Sequence, residues 1–218
     1  MPHQPVEDRR RPQRPPARRT GRPPAPLSRS PKLFVITGPS GAGKGTLLQE
    51  LLARRNDLEL AVSATTRARR PGETDGLHYY FMSGEEFDRR VEEGEFLEHV
   101  TFVRQRSGTL LSEIERISAK GKACLLELEP TGAIAVRDRV PGSVTIFVDA
   151  PLAELERRLR ERATESAGEI DERLELAREQ QKLAHEFSYV VENDDVERAV
   201  DELEAIINHE LAGKLSAS

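Results

Sequence analysis

Cysteine is almost absent from this chain: Cys124 stands alone in 218 residues. One cysteine cannot form an internal disulfide, so the chain suits a reducing compartment, and a cytoplasmic location is expected. Cys124 lies inside the apolar run Ala123 to Leu126, which fits a buried packing residue rather than a nucleophile. Long apolar runs are missing too. None approaches the roughly 18 residues that a membrane span needs, so no membrane partner is expected. The amino-terminal stretch, rich in arginine and proline, lacks the apolar core of a secretory signal. There are no internal repeats.

Net positive charge is confined to the start of the chain. Residues 1–31 hold eight arginines against Glu7 and Asp8, a net +6, while the whole chain carries −5. Residues 32–218 therefore carry −11. An acidic body does not suit a nucleic-acid binder, and no such partner is expected; its basic groups have to be gathered in a site. Residues 1–31 also contain nine prolines and almost no apolar periodicity, the composition of a disordered or polyproline-like tail. It reads as a solvated leader, or an extension from an upstream start codon; the alternative is an arm for anionic partners such as RNA or lipid. Residues 212–218 read as a flexible end. The rest is long enough for one α/β domain, with room for a small subdomain.

What the body does have is a glycine-rich turn. The apolar run Leu33-Phe34-Val35-Ile36 reads as a buried strand, and Leu47 to Leu52 as the start of a helix. Between them lies Gly38-Pro39-Ser40-Gly41-Ala42-Gly43-Lys44-Gly45-Thr46. Strand, glycine turn and helix form the setting of a phosphate-binding P-loop. Glycines let backbone N–H groups turn inward around phosphate oxygens, and the helix amino terminus adds positive partial charge behind them. Lys44 can reach the terminal phosphates of a nucleotide. Gly45 occupies the place of the usual hydroxyl residue, which comes one position later as Thr46. That weakens the case for a Mg²⁺ ligand from the loop.

Further strands are expected at Leu58 to Ser63, Glu95 to Phe102, Ala123 to Leu128, Ser143 to Val148 and Ser188 to Val191. Ser63 to Phe81 gathers hydroxyls, Arg67, Arg70, Glu73 and Tyr79 around a Pro-Gly turn and an aromatic strand. Each arginine can present a forked pair of donors to a phosphate. A capping box at Ser83 to Glu86 opens a helix with Phe87 and Val91 on its apolar side, ended by Gly94. Val103 to Gly108 reads as an arginine-rich loop, and Thr109 to Lys120 as a helix. A charged helix from Pro151, holding Arg157, Arg158, Arg160 and Arg162, is interrupted at Thr164 to Gly168 and followed by a helix from Glu169 to Glu186. Residues 157–173 show few apolar positions and no evident core face, which suits a mobile lid. Asn193-Asp194-Asp195 caps a last helix reaching Leu211. Alternating strands and helices mean a parallel sheet covered on both faces, with ligands beyond the carboxyl ends of its strands.

The combination of Gly38 to Thr46, Ser63 to Phe81, Phe96-Leu97-Glu98 and Asn193-Asp194-Asp195 resembles the guanylate kinases, over about residues 32–211. The resemblance implies an α/β P-loop three-layer fold: a five-stranded parallel sheet, a small mixed GMP-binding subdomain at about 63–110 and a helical lid at about 157–173. It implies ATP and GMP as partners, with Mg²⁺ carried by ATP rather than by a metal site of the protein, and ADP and GDP as products. It allows dGMP as an acceptor and leaves a homo-oligomer open. Pro39, Ser40, Gly41, Ala42, Gly43, Lys44, Gly45 and Thr46 would bind ATP. Ser63, Arg67, Arg70, Glu73, Tyr79, Glu98 and Thr109 would bind GMP, Glu98 and Thr109 reading the guanine edge. Lys44, Arg67, Arg158, Arg162 and Arg173 would stabilise the transferring phosphoryl group.

The sequence departs from the family in four places. Ser107 replaces a tyrosine expected at the GMP phosphate, with Arg104 and Arg106 beside it as candidate substitutes. Glu127-Leu128-Glu129 replaces Asp-x-Asp, Thr131-Gly132 replaces Gln-Gly, and Glu161-Arg162-Ala163 replaces Gly-Arg-Gly in the lid. Two other readings stay open: a guanylate kinase-like binding module without full activity, and a related P-loop kinase acting on another phosphorylated acceptor such as ribose 1,5-bisphosphate.

Overall fold

Apolar residues in five short runs build one parallel sheet, and its two faces collect the helices. The computed structural model describes residues 32–102, 105–161 and 167–213. The tail, Arg104, Arg162 and Ala163 lie outside the described residues. The first elements in chain order are β1 (Leu33–Thr37), α1 (Lys44–Arg54), β2 (Leu58–Leu60), β3 (Ala64–Thr65) and β4 (Tyr80–Phe81). Next come α2 (Gly84–Glu92), β5 (Phe96–Phe102), β6 (Gln105–Leu110), α3 (Leu111–Ala119), β7 (Ala123–Glu127) and α4 (Pro130–Arg139). The chain continues with β8 (Val144–Asp149), α5 (Leu152–Glu161), α6 (Ala167–Gln181), a 3₁₀ turn (Ala184–Glu186), β9 (Tyr189–Glu192) and α7 (Val196–Ala212).

The central sheet has the order β2-β7-β1-β8-β9, all parallel, so β1 sits in the middle with its carboxyl end aimed at the site. Strand alternation splits β1 between two cores. Phe34 and Ile36 join Leu47, Leu51, Ile146, Val200 and Leu203 on one side, while Leu33 and Val35 join Ile114, Ile117, Cys124 and Val136 on the other. Each large side chain fully buried in this way contributes about 1.5–3 kcal/mol. Cys124 is buried as expected, and burial pushes its thiol up to about 12, well out of reach of nucleophilic chemistry at neutral pH.

A second sheet, β4-β3-β6-β5, is mixed: β3 runs parallel to β4, and the other pairs are antiparallel. It has its own small core of Ala64, Phe87, Phe96 and Leu110.

Two expectations need correction, and one helix was not foreseen. Gln105–Leu110, expected as a loop to Gly108 and a helix from Thr109, is the strand β6, because it pairs along its length with β5. The stretch Pro130–Arg139, which carries no strong periodicity, is the helix α4. The arginine-rich helices are also less detached than their composition suggests. Leu155 and Leu159 of α5, with Leu174 and Ala177 of α6, are buried in the main core. The spacing is that of one helical face, which the surrounding charges obscure.

Candidate active site

The P-loop leaves β1 at Gly38, whose φ of 143° and contact with the carbonyl of Val148 leave no room for a Cβ. The loop turns through Gly41 and Gly43, both with positive φ, and enters α1 at Lys44. Lys44 Nζ lies back along the loop, donating to the carbonyls of Gly38 at 2.8 Å and Pro39 at 3.0 Å. Across the loop, Asn193 Nδ2 donates to the Ala42 carbonyl at 2.7 Å. Arg158 joins it, with Nη2 donating to the Asn193 carbonyl at 3.0 Å and Nη1 3.4 Å from the Ala42 carbonyl. The cradle is thus braced from β9 and α5, two elements far away in sequence.

Opposite the loop, β5 and β6 supply a second wall. Their register slips between Phe96 and Glu98, so Leu97 and Glu98 together face Thr109. Such a bulge re-aims a side chain. Here Phe96 turns into the small core, Leu97 into the core around Val35 and Ile114, and Glu98 meets Thr109. Thr109 Oγ1 donates to Glu98 Oε1 at 3.0 Å. Glu98 is 2% exposed, and burial pushes its carboxyl up to about 7, against the pull of the Thr109 hydrogen bonds and the charge of Arg139. Gly132 of α4 backs this carboxylate; a Cβ there would lie 3.1 Å from Glu98 Oε2.

The two walls enclose a cleft of about 410 Å³. Ser40, Gly41, Gly43, Lys44, Gly45 and Thr46 line it from the loop, and Ser63, Tyr79 and Glu98 from the other side. Ala42 is wholly buried beneath the loop, and Thr109 stands behind Glu98 at 1% exposure. Arg67 does not line the cleft. Both its terminal nitrogens pair with Glu73, at 2.9 and 2.7 Å, and its guanidinium sits 5.2 Å from the ring centre of Tyr79. The pairing holds the Glu73 carboxyl down at about 2. Glu73 also accepts from the backbone N–H of Arg70 at 2.7 Å, while the Arg70 residue is exposed. Arg173 is half-buried on α6, away from the cleft lining.

The expected site did not include several residues found at the cleft. His78 lines the cleft with its Nδ1 accepting from the backbone N–H of Thr74 at 3.0 Å, so its ring proton is on Nε2. Glu127 and Glu129 form the floor beside Lys44. Glu127 keeps an exposed face on the cleft, yet the protein packed around it raises its carboxyl pKa, Lys44 draws it back, and Glu129 raises it further. Glu129 is tied to α6 by Gln180 Nε2 at 2.9 Å. Of Asn193, Asp194 and Asp195, expected to cap the last helix, Asp195 does so, accepting from the Arg198 N–H at 2.9 Å, while Asn193 turns to the P-loop.

A model of the guanylate kinase family matches residues 30–210. This chain belongs to the guanylate kinase family. A guanylate kinase of Desulfitobacterium hafniense (strain Y51) is 46% identical over 176 residues, covering 80% of this chain and 88% of that protein. Another, from Symbiobacterium thermophilum, is 44% identical over 181 residues, covering 83% and 86%. The crystal structure of guanylate kinase from Anaplasma phagocytophilum superposes with a TM-score of 0.67 at 30% identity, over 83% of this chain and 86% of that one. The α/β fold, with its five-stranded parallel sheet and mixed four-stranded sheet, is that of the guanylate kinase family.

Against the family pattern, the substituted position Ser107 opens directly onto the cleft, with its Oγ 3.4 Å from Thr65 Oγ1. Its neighbour Arg106 points away from the cleft. On a strand, successive side chains point to opposite faces. Arg106 turns to α2, where it pairs with Asp88, donates to the Gly84 carbonyl at 3.0 Å and lies over Phe87.

Proposed function

We infer that this chain transfers the terminal phosphoryl group of ATP to GMP, giving ADP and GDP. The observation that carries this reading is one cleft with two unlike walls. A phosphate-cradling loop with Lys44 stands on one side, and the buried Glu98–Thr109 pair on the other.

In this reading residues 39–46 hold the ATP phosphates, and Lys44 leaves its carbonyl partners to meet them. GMP lies across the second wall. Guanine offers N–H donors on the edge where adenine has an unprotonated nitrogen, and a carboxylate has acceptors only, so Glu98 selects guanine. Ser63 and Tyr79 meet the acceptor from the cleft surface. Arg67, locked by Glu73 behind the Tyr79 ring, supplies fixed positive charge, and Arg70 reaches the phosphate from the exposed rim. An oxygen of the GMP phosphate attacks the terminal phosphorus of ATP, the bond to the bridging oxygen breaks, and ADP leaves. Catalysis rests on alignment and charge, with no covalent intermediate. Arg158, Arg162 and Arg173 add charge as the lid at about 157–173 closes over the unit at about 63–110. dGMP, which carries the same guanine edge and the same phosphate, serves as a second acceptor in this reading.

Among the described residues no cluster of three or more His, Cys, Asp or Glu could hold a metal ion. The oxygen donors of Glu127, Glu129 and Thr46 at the cleft fit a Mg²⁺ that arrives on the ATP phosphates. That ion neutralises phosphate charge when bound. Among the same residues no helix is long and apolar enough to cross a membrane, and a cytoplasmic enzyme accords with the single buried thiol.

The test is an ADP-release assay with ATP against GMP, dGMP, AMP, UMP and ribose 1,5-bisphosphate. Turnover with GMP and dGMP alone is expected. No release above the acceptor-free background with GMP would refute the reading, and turnover with AMP equal to that with GMP would remove Glu98 from its role.

A further inference from the structure

Glu113 is a buried carboxylate for which the proposed chemistry has no use. It sits in the first turn of α3 and is 2% exposed. Its Oε1 accepts from the backbone N–H of Val62 at 3.0 Å and from Arg116 Nη2 at 2.6 Å. Its Oε2 accepts from the Tyr80 hydroxyl at 2.9 Å and from Arg116 Nε at 3.0 Å. A carboxylate offers about four acceptor positions, and all are taken. Burial raises the carboxyl pKa, but these bonds outweigh it, and the group stays below its ordinary value and charged. Arg116 then continues to Glu59 of β2 at 2.5 Å. A buried carboxylate held by a half-exposed arginine is a poor way to gain stability compared with packed apolar side chains, and the better attested use of such a group is to specify one geometry.

The partners show which geometry. The chain passes from the central sheet into the second sheet through Val62 and Ser63, and returns through Leu110 and Leu111. Glu113, just past the return, binds the backbone at the outgoing crossing. It also holds Tyr80 on the edge strand of the second sheet. Ser63 follows Val62 and Tyr79 precedes Tyr80, and both line the cleft. These neighbours are joined as well, the Tyr80 N–H donating to the Ser63 carbonyl at 2.9 Å. The far edge of the second sheet is anchored separately, where Leu97 enters the core around Val35 and Ile114 and Arg139 Nη1 donates to the Leu97 carbonyl at 2.6 Å. The second sheet is thereby tied at both of its edges.

We propose that Glu113 is a positioning residue for phosphoryl transfer: by joining Val62, Tyr80 and Arg116 it sets the angle between the acceptor-binding sheet and the P-loop, and so the distance between the two phosphates. The proposal rests on the kinase reading above. In-line transfer needs close alignment, and small displacements from residues away from the chemistry lower the rate strongly.

The test uses Tyr80→Phe and Glu113→Gln in the full chain, singly and together. Tyr80→Phe is expected to raise KM for GMP and lower kcat about 3- to 10-fold, and Glu113→Gln about 10- to 100-fold, with KM for ATP within about twofold of the parent. The double variant is expected to be no worse than Glu113→Gln, because both act through one carboxylate. A second readout needs no turnover. Since Cys124 is buried, cysteines introduced at the exposed Glu85 and Glu197 take spin labels selectively. The distance distribution between them is expected to broaden in Glu113→Gln and, less, in Tyr80→Phe. Variants that melt earlier but keep the parent's KM for GMP, kcat and distance distribution would reduce Glu113 to a stabilising contact and overturn the proposal. Should Glu113→Gln not fold, Tyr80→Phe, which loses one hydroxyl, decides by the same comparison. A parent inactive on GMP would sink the kinase reading, and the distance distributions would then decide this one alone.

Discussion

Thr109 Oγ1 donates to Glu98 Oε1 at 3.0 Å, and neither residue is more than 2% exposed. One hydrogen-bonded hydroxyl does not offset the loss of water, and the carboxyl is pushed up from 4.5 to about 7. In the unfolded chain the group loses its proton near 4.5; in the folded chain it keeps it to about 7. Between those values the folded state binds the extra proton, so stability falls as pH rises. Glu98→Gln removes that decline. The variant's gain in stability over the parent is expected to grow from about 1 kcal/mol at pH 5 to on the order of 3 kcal/mol at pH 8. Thermal melts of both proteins at the two pH values check it; a gain that does not change with pH contradicts it.

The same titration acts in the opposite direction on substrate. Only the carboxylate can accept from both guanine N–H donors, so KM for GMP is expected to fall between pH 6 and pH 8 while KM for ATP changes little. At pH 8, Glu98→Gln should cost about 2–4 kcal/mol in kcat/KM for GMP, since a charged acceptor becomes in part a donor. Initial rates across that pH range, parent against variant, measure both effects.

Lys44 is held by two loop carbonyls and is not part of the core, so removing its amine does not unfold the chain. Lys44→Ala is expected to lower kcat by at least about 100-fold with the melting temperature nearly unchanged. Near-normal turnover in the variant would remove the loop from the chemistry.

Asn193 tests the brace beneath the P-loop. Its Nδ2 faces the Ala42 carbonyl at 2.7 Å, and the residue is 1% exposed. Asn193→Asp keeps the shape and sets a carboxylate oxygen against a carbonyl oxygen. The expected cost is about 3 kcal/mol of stability, with a raised KM for ATP and little change in KM for GMP at saturating ATP. Denaturant melts and two-substrate kinetics check this; equal changes in both KM values would show that the loop is not the part disturbed.

Local features of the site were legible in the sequence, and contacts made by tertiary pairing were not. The P-loop could be read because strand, glycines, Lys44 and helix are contiguous. Asn193 could not, because its partner Ala42 lies 151 residues away and three consecutive polar residues before a helix look like a cap. The helix α4 was hidden by Pro130, Thr131 and Gly132 at its start, all poor helix formers. Gly132 is needed there for a reason no local pattern reveals: a side chain would press on Glu98. Glu113 sat unnoticed in an ordinary amphipathic helix, since only the folded chain brings Val62 and Tyr80 to it.

Reading β6 as a loop also hid the direction of Arg106, and this yields the last prediction. A loop places no constraint on which way two neighbouring side chains point; a strand sends them to opposite faces. Ser107 faces the cleft, and Arg106 is committed to Asp88, Gly84 and the ring of Phe87, 5.3 Å away. Arg106→Ala therefore should leave KM for GMP within about twofold. It should cost about 1 kcal/mol of stability, the usual sum for a partly exposed ion pair and a cation–π contact. Ser107→Tyr puts a long hydroxyl-bearing side chain into the cleft beside Tyr79. A hydrogen bond to a charged phosphate contributes about 1.5–3 kcal/mol, so KM for GMP should fall by about 10-fold or more. The two variants exchange signatures: one changes the melting temperature and not the substrate, the other the substrate and much less the melting temperature. If Arg106→Ala instead raised KM for GMP strongly at unchanged stability, the arginine would have to leave α2 when substrate binds, and the alternation seen in β6 would not describe the liganded site.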